Sequence, residues 1–333
     1  MTNMCKVAVI GTGGTIAAVG RDAFDLIDYD AGGKMLDTAQ LLGLLPAVPA
    51  HVEVVEIPFR TMSSTAVFFD EWRELMAMCR ELEASTPDLA GIVILHGTAT
   101  LEETAYFLQL TLDVAVPVVL AGAQRPSNAL SSDAALNLYN AVRVAADPAA
   151  RGLGVLVVLN DEIHAARDVT KTSTYRLHAF QSRDTGVLGY CDADRIAFYR
   201  RPVRIEPPHS EFDVAHLDHL PLVGITYSYA GADGSVIAAL AEAGARGIVA
   251  AGFAPGCCTP AETTALREVA RAGVAVVVST RAGGGRVGDG IELRSNGFIG
   301  ADNLNPQKAR ILLALALTRT DALDEIAKMF NTY

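Results

Sequence analysis

The 333-residue sequence predicts an α/β protein built on a mainly parallel sheet with helices on both faces. Two observations carry that reading. Short apolar runs rich in valine and isoleucine alternate with longer stretches of helical periodicity, as expected for strands buried on both sides. The composition, 50% hydrophobic and 20% charged, fits a globular chain with enough apolar surface for about two domains of ~150 residues each.

In chain order the strand candidates are residues 6–10, 52–58, 91–95, 116–121 and 154–159, then 222–226, 247–251 and 274–279. The intervening helices have readable ends. Thr259-Pro260-Ala261-Glu262 combines a capping box with proline at the first helical position, and Gly273 follows the last turn. Asn305-Pro306 opens another helix in the same way. From Arg200 to Pro221 the pattern lapses into "RRPVRIEPPHSEFDVAHLDHLP", with four prolines and no periodicity. This predicts a larger N-terminal domain over 1–200, a linker over 201–219 and a smaller C-terminal domain over 220–333.

Charge and cysteine content exclude several classes of function. A net charge of -11 disfavours nucleic acid and anionic membrane as main partners and leaves a small molecule or another protein. The N-terminal residues show no secretion signal, and no run is long enough to span a bilayer, so the expected location is cytoplasmic. Five cysteines without CxxC spacing argue against disulfides and structural zinc. His216 and His219 with Asp213 and Asp218 imitate a metal cluster, but they sit at the linker edge with nothing to fix their geometry.

The chemistry is expected at strand ends. In "VAVIGTGGTIA" the first strand runs into a glycine-rich turn bearing Thr12 and Thr15. Ile16 stands where a dinucleotide fingerprint needs glycine, and no Walker-type lysine follows, so nucleotide binding is a poor fit. "HGTATLEET", residues 96–104, places Thr98 and Thr100 around Ala99 after the third strand. Asp161 and Glu162 lead on to Lys171 in "AARDVTKTST", and Ser279 and Arg281 end a later strand. Open parallel sheets gather such ends into one crevice. A poorly solvated lysine there loses proton affinity and can activate a threonine hydroxyl. His96 reads as a structural histidine beside the crevice, and Asp133 with Asn137 as the polar start of a helix.

The blocks "TGGTIA" (12–17), "HGTATLEET" (96–104), "AGAQRP" (121–126), "ARDVTKT" (166–172) and "NPQKARILLALALT" (305–318), in this order and spacing, give the chain a close resemblance to the bacterial-type L-asparaginase/glutaminase family. The resemblance implies a two-domain asparaginase-like fold and a hydrolase of amide C–N bonds with no metal or organic cofactor. It also implies a homotetramer of close dimers, with the site between subunits. Thr15 would be the nucleophile, Thr98 and Lys171 a hydroxyl and amine pair that activates it, and Tyr29 a flap residue. Ser64 would hold the substrate's α-carboxylate, with Thr65, Gly97 and Ala99 completing the binding surface.

Three positions depart from the family pattern. The aspartate after His-Gly-Thr, which holds the substrate's α-ammonium in the family, is Ala99. The asparagine of the family's Gly-Asn-Gly is Pro255, and the acidic or amide residue that usually follows the carboxylate-binding serine is Thr65. Glu292 lies near where the family contributes a late glutamate. A methyl group cannot compensate a buried cation, so the expectation is an amidohydrolase that favours a substrate without an α-amino group. Ordinary asparagine or glutamine hydrolysis is the alternative, with Glu102, Asp161 or Glu162 as replacement partners for the cation. A catalytically silent ligand-binding protein on the same fold is the alternative of a different class.

Overall fold

The computed structural model describes residues 4–29, 31, 33–203 and 211–333, and the chain divides into two compact units, Met1–Ser210 and Glu211–Tyr333. In the first unit, β1 (Cys5–Gly11), β2 (Val52–Ile57), β3 (Leu89–Leu95), β4 (Val118–Ala121) and β5 (Val155–Leu159) are parallel. β6 (Glu162–Ala165) then turns back antiparallel, β7 (Thr170–Lys171) and β8 (Phe180–Gln181) form a separate hairpin, and β9 (Gly189–Cys191) and β10 (Ile196–Phe198) extend the edge. The eight-stranded order is β10-β9-β6-β5-β4-β3-β1-β2.

Helices α1 (Thr38–Leu42), α2 (Phe69–Ser85), α3 (Leu101–Thr111) and α4 (Ala134–Ala146) complete this unit. One core packs Val7, Val9, Val93, Leu95, Val119 and Val158 with Leu138, Ala141 and Val142 of α4. Trp72 of α2 and Phe107 of α3 are fully buried and stack with ring centroids 4.7 Å apart. β1 carries β2 on one side and β3 on the other, so the strand order reverses there. Such a reversal opens a crevice outside the carboxyl ends of the two strands.

In the second unit, β11 (Val223–Tyr227), β12 (Gly247–Gly252), β13 (Ala275–Thr280) and β14 (Ile299–Gly300) form a parallel sheet in that order. Its helices are α5 (Ser235–Glu242), α6 (Pro260–Arg271), α7 (Ile291–Asn296), α8 (Pro306–Ala316) and α9 (Leu323–Thr332). The predicted caps are present. Thr259 Oγ1 accepts from the Glu262 amide and the Glu262 carboxylate accepts from the Thr259 amide, at 3.1 and 2.9 Å. Asn305 Oδ1 accepts from the Lys308 amide at 3.0 Å ahead of α8.

Differences from the sequence reading have local causes. The strand predicted from residue 116 begins at Val118, because Pro117 has no N–H to donate; its carbonyl instead accepts from the Ile92 amide at 2.9 Å. β6 to β10 and β14 span two to four residues each, too short to show any period. Residues 204–210 of the predicted linker lie outside the described residues. His216 is exposed and 4.0 Å from Asp213, and no cluster able to hold a metal occurs among the described residues. All five cysteines are free thiols. Among the described residues no helix is long and apolar enough to cross a membrane.

Candidate active site

The turns that follow β1 and β3 meet backbone to backbone. Thr12 donates both its amide and its hydroxyl to the Leu95 carbonyl, at 2.9 and 3.0 Å, and its own carbonyl accepts from the Met62 amide at 2.9 Å. Gly14 has φ +82, and a Cβ there would lie 2.1 Å from Gly97 Cα. A Cβ on Gly97 would in turn lie 2.7 Å from Ser64 Cβ and Oγ. Only glycine permits this approach, and it packs the turn bearing Thr15 against the turn bearing Thr98 and the latter against buried Ser64.

Each of the two turns carries a threonine whose hydroxyl is paired. Thr15, half-buried among buried neighbours, shares a 2.9 Å hydrogen bond with the Tyr29 hydroxyl. Thr98, only 5% exposed, accepts from Lys171 Nζ at 2.8 Å. Lys171 is carried by the β7–β8 hairpin, which Glu102 of α3 anchors: its Oε1 accepts from the Lys171 amide and the Thr170 hydroxyl, both at 3.1 Å. Burial pushes the Lys171 amine below the ordinary lysine range, and the nearby Glu102 charge only partly opposes this. The amine is thus poised to release its proton more readily than a solvated lysine.

A relay behind the second turn holds it in place. Trp72 Nε1 donates to Thr104 Oγ1 at 2.8 Å, Thr104 lies 3.0 Å from His96 Nε2, and His96 Nδ1 lies 2.8 Å from the Gly97 carbonyl. A donor is needed at Nδ1 to face a carbonyl, so Thr104 donates to Nε2 and the imidazole is neutral. Burial agrees, pushing His96 down to about 4. His96 is therefore placed as scaffold. Asp133 and Asn137 do more than begin a helix: Asp133 accepts from the amides of Gln124 and Arg125 at 2.9 and 3.0 Å. Asn137 donates to the Gly122 carbonyl at 2.9 Å and accepts from the Asn160 amide at 3.0 Å. The loop before Tyr29 is fastened by Asn128, which bonds both the amide and the carbonyl of Gly20 at 2.7 and 2.8 Å. Buried Asp25 accepts from the amides of Arg21 and Asp28 at 3.1 and 3.0 Å.

The other sequence candidates are distributed as follows. Ala99 and Thr65 are exposed, Thr65 sharing a 2.9 Å hydrogen bond with Ser63, and Thr100 donates to the Ser64 carbonyl at 2.7 Å. The expectation that Asp161 and Glu162 join the Thr15–Lys171 cluster is corrected. Asp161 accepts from Asn140 at 2.8 Å, and Glu162 faces His178 at 3.1 Å and His164 at 3.5 Å. In the second unit Ser279 is buried and donates to the Leu304 carbonyl at 2.7 Å, while the Arg281 guanidinium lies 4.5 Å from the Phe253 ring centroid. Pro255 and Glu292 are exposed.

The chain is similar along most of its length to known proteins. The model described as "Asparaginase, N-terminal" matches residues 6–204, and that described as "Glutaminase/Asparaginase C-terminal domain" matches residues 222–330. The chain is 38% identical to L-asparaginase 2 of Bacillus subtilis, an alignment covering 98% of this chain and 86% of the relative. It is 39% identical to L-asparaginase 2 of Escherichia coli, covering 98% and 93%. The crystal structure of a "Probable Cytoplasmic L-asparaginase" from Campylobacter jejuni superimposes with a TM-score of 0.91 at 38% identity, covering 99% of this chain and all of that one.

Proposed function

The chain belongs to the asparaginase family, and from that premise we propose that it is an L-asparaginase, hydrolysing the side-chain amide of asparagine to aspartate and ammonia. The observation that carries this reading is the pairing of Thr15 with Tyr29 and of Thr98 with Lys171 on two turns that touch. Thr15 Oγ1 attacks the amide carbonyl, and its proton passes by way of the hydroxyl and amine pairs to the departing nitrogen. Backbone amides of the two glycine-bearing turns hold the tetrahedral oxyanion. Ammonia leaves, an acyl ester remains on Thr15, and a water activated by the Thr98–Lys171 pair releases the acid and restores the hydroxyl. Ser64, at the contact with Gly97, receives the α-carboxylate. By family likeness the working form is a homotetramer of close dimers with the site between subunits. By its likeness to the Campylobacter protein, the enzyme is cytoplasmic.

The expectation of a substrate lacking the α-amino group finds no support in these relatives, which are named L-asparaginases. One observation favours it as a second reading. Ala99 replaces the family's cation partner, and Glu102, Asp161 and Glu162 are all engaged by other groups. Ammonia release from L-asparagine, L-glutamine, succinamate and glutaramate separates the readings. The first predicts that kcat/KM for L-asparagine exceeds that for succinamate by about tenfold or more, the worth of one charge-assisted hydrogen bond. The reverse order would establish the second reading. Absence of ammonia from all four would leave the silent ligand-binding protein.

A further inference from the structure

The amine assigned as base rests on strands of two residues each, so something must hold that hairpin. Among the described residues β7 pairs with β8 alone, through Thr170 to Gln181 and Lys171 to Phe180, and Glu102 anchors the β7 side. The β8 side is anchored separately. His178, just before β8, lies 3.1 Å from Glu162 Oε2, and Ser182, just after β8, lies 3.0 Å from Nδ1 of fully buried His164. His164 Nε2 in turn lies 3.5 Å from the same Glu162 oxygen. Glu162 and His164 both belong to β6, so both ends of β8 are pinned to one strand of the main sheet.

We propose that Glu162, through His164 and His178, is a positioning residue that fixes the β7–β8 hairpin and thereby sets the placement and hydration of the Lys171 amine. Glu102 holds the β7 strand and Thr172 bonds the Ala179 carbonyl across the hairpin, but short pairings of this kind are marginal alone, and the clamp adds the hold on the β8 side. Glu162 is 18% exposed, Leu159 and Tyr190 are its register neighbours, and its carboxylate faces the imidazoles of His164 on its own strand and of His178 ahead of β8. Burial pushes the Glu162 carboxyl up, but bonding and charge from the two histidines outweigh this and leave it below the usual carboxylate range.

The inference rests on the reading of Lys171 as base, and the test separates the two. In the full-length protein, the pH dependence of Lys171 acylation by an amine-directed reagent is followed by peptide mass mapping, alongside kcat and KM for L-asparagine. Glu162→Ala is expected to lower kcat about tenfold with KM changed by less than about twofold. It should also move the Lys171 labelling midpoint upward by about half a pH unit as the amine gains water. Glu162→Gln, which keeps an acceptor, should fall between Glu162→Ala and the wild type. His178→Ala, at a more exposed position, should shift the midpoint in the same direction and decides the matter if Glu162→Ala does not fold. An unchanged midpoint in folded protein, with or without a loss of kcat, overturns the inference. Full activity in Lys171→Met with a shifted midpoint in Glu162→Ala would instead overturn the assignment of Lys171 as base and leave the clamp standing.

Discussion

Thr15→Ala should lose about 10⁴-fold or more in kcat, because removing a nucleophile removes the acyl transfer that divides one difficult hydrolysis into two easier steps. KM should change little, since Ser64 and the turn backbone remain. Thr15 bonds outward to the Tyr29 hydroxyl and leaves the contact between Gly14 and Gly97 untouched. Its truncation therefore deletes one partly exposed hydrogen bond, worth about 1 kcal/mol, and the fold persists. Steady-state kinetics beside a thermal melt check both halves. Turnover near the wild-type rate would remove Thr15 from the chemistry.

Lys171→Met should be nearly as damaging, lowering kcat by roughly 10² to 10⁴, the range for loss of a positioned acid or base. Methionine keeps an unbranched stem and leaves the 2.8 Å hydrogen bond to Thr98 unmade. The wild-type rate should rise with pH as Lys171 sheds its proton, at a pH below that of an ordinary lysine because burial disfavours the charge. Lys171→Met should lack that rise. Stability follows the same sign. The unfolded chain keeps this proton to higher pH than the folded one, so stability climbs with pH between the two values, and Lys171→Met should flatten that climb. A pH series of rates and melts for the two proteins tests this.

Long strands and capped helices were legible because each carries a repeated signal: β1 from Val7 onward, β3 and β12 are apolar runs, and Thr259 with Glu262 caps α6 from both sides. The meeting of the turns after β1 and β3 was legible for a topological reason, since the strand order reverses there. What remained hidden depends on contacts between distant residues. The Trp72–Thr104–His96 relay spans 32 residues from indole to hydroxyl, and no local pattern pairs them. The hairpin that delivers Lys171 has two-residue strands, below any readable period, and its clamp joins Glu162 to His178 and His164 to Ser182. Asp161 and Glu162 illustrate the opposite error. Strand-end position suggested the crevice, whereas Asn140 and the histidines hold their carboxylates elsewhere.

The assignment of the bond-breaking hydroxyl is tested most directly by stopping turnover of L-asparagine with acid within the first cycle and mapping the acyl group by peptide mass spectrometry. The account predicts an aspartyl ester on Thr15, absent from Thr15→Ala. An ester on Thr98 or any other residue, with Thr15 unmodified, would contradict it.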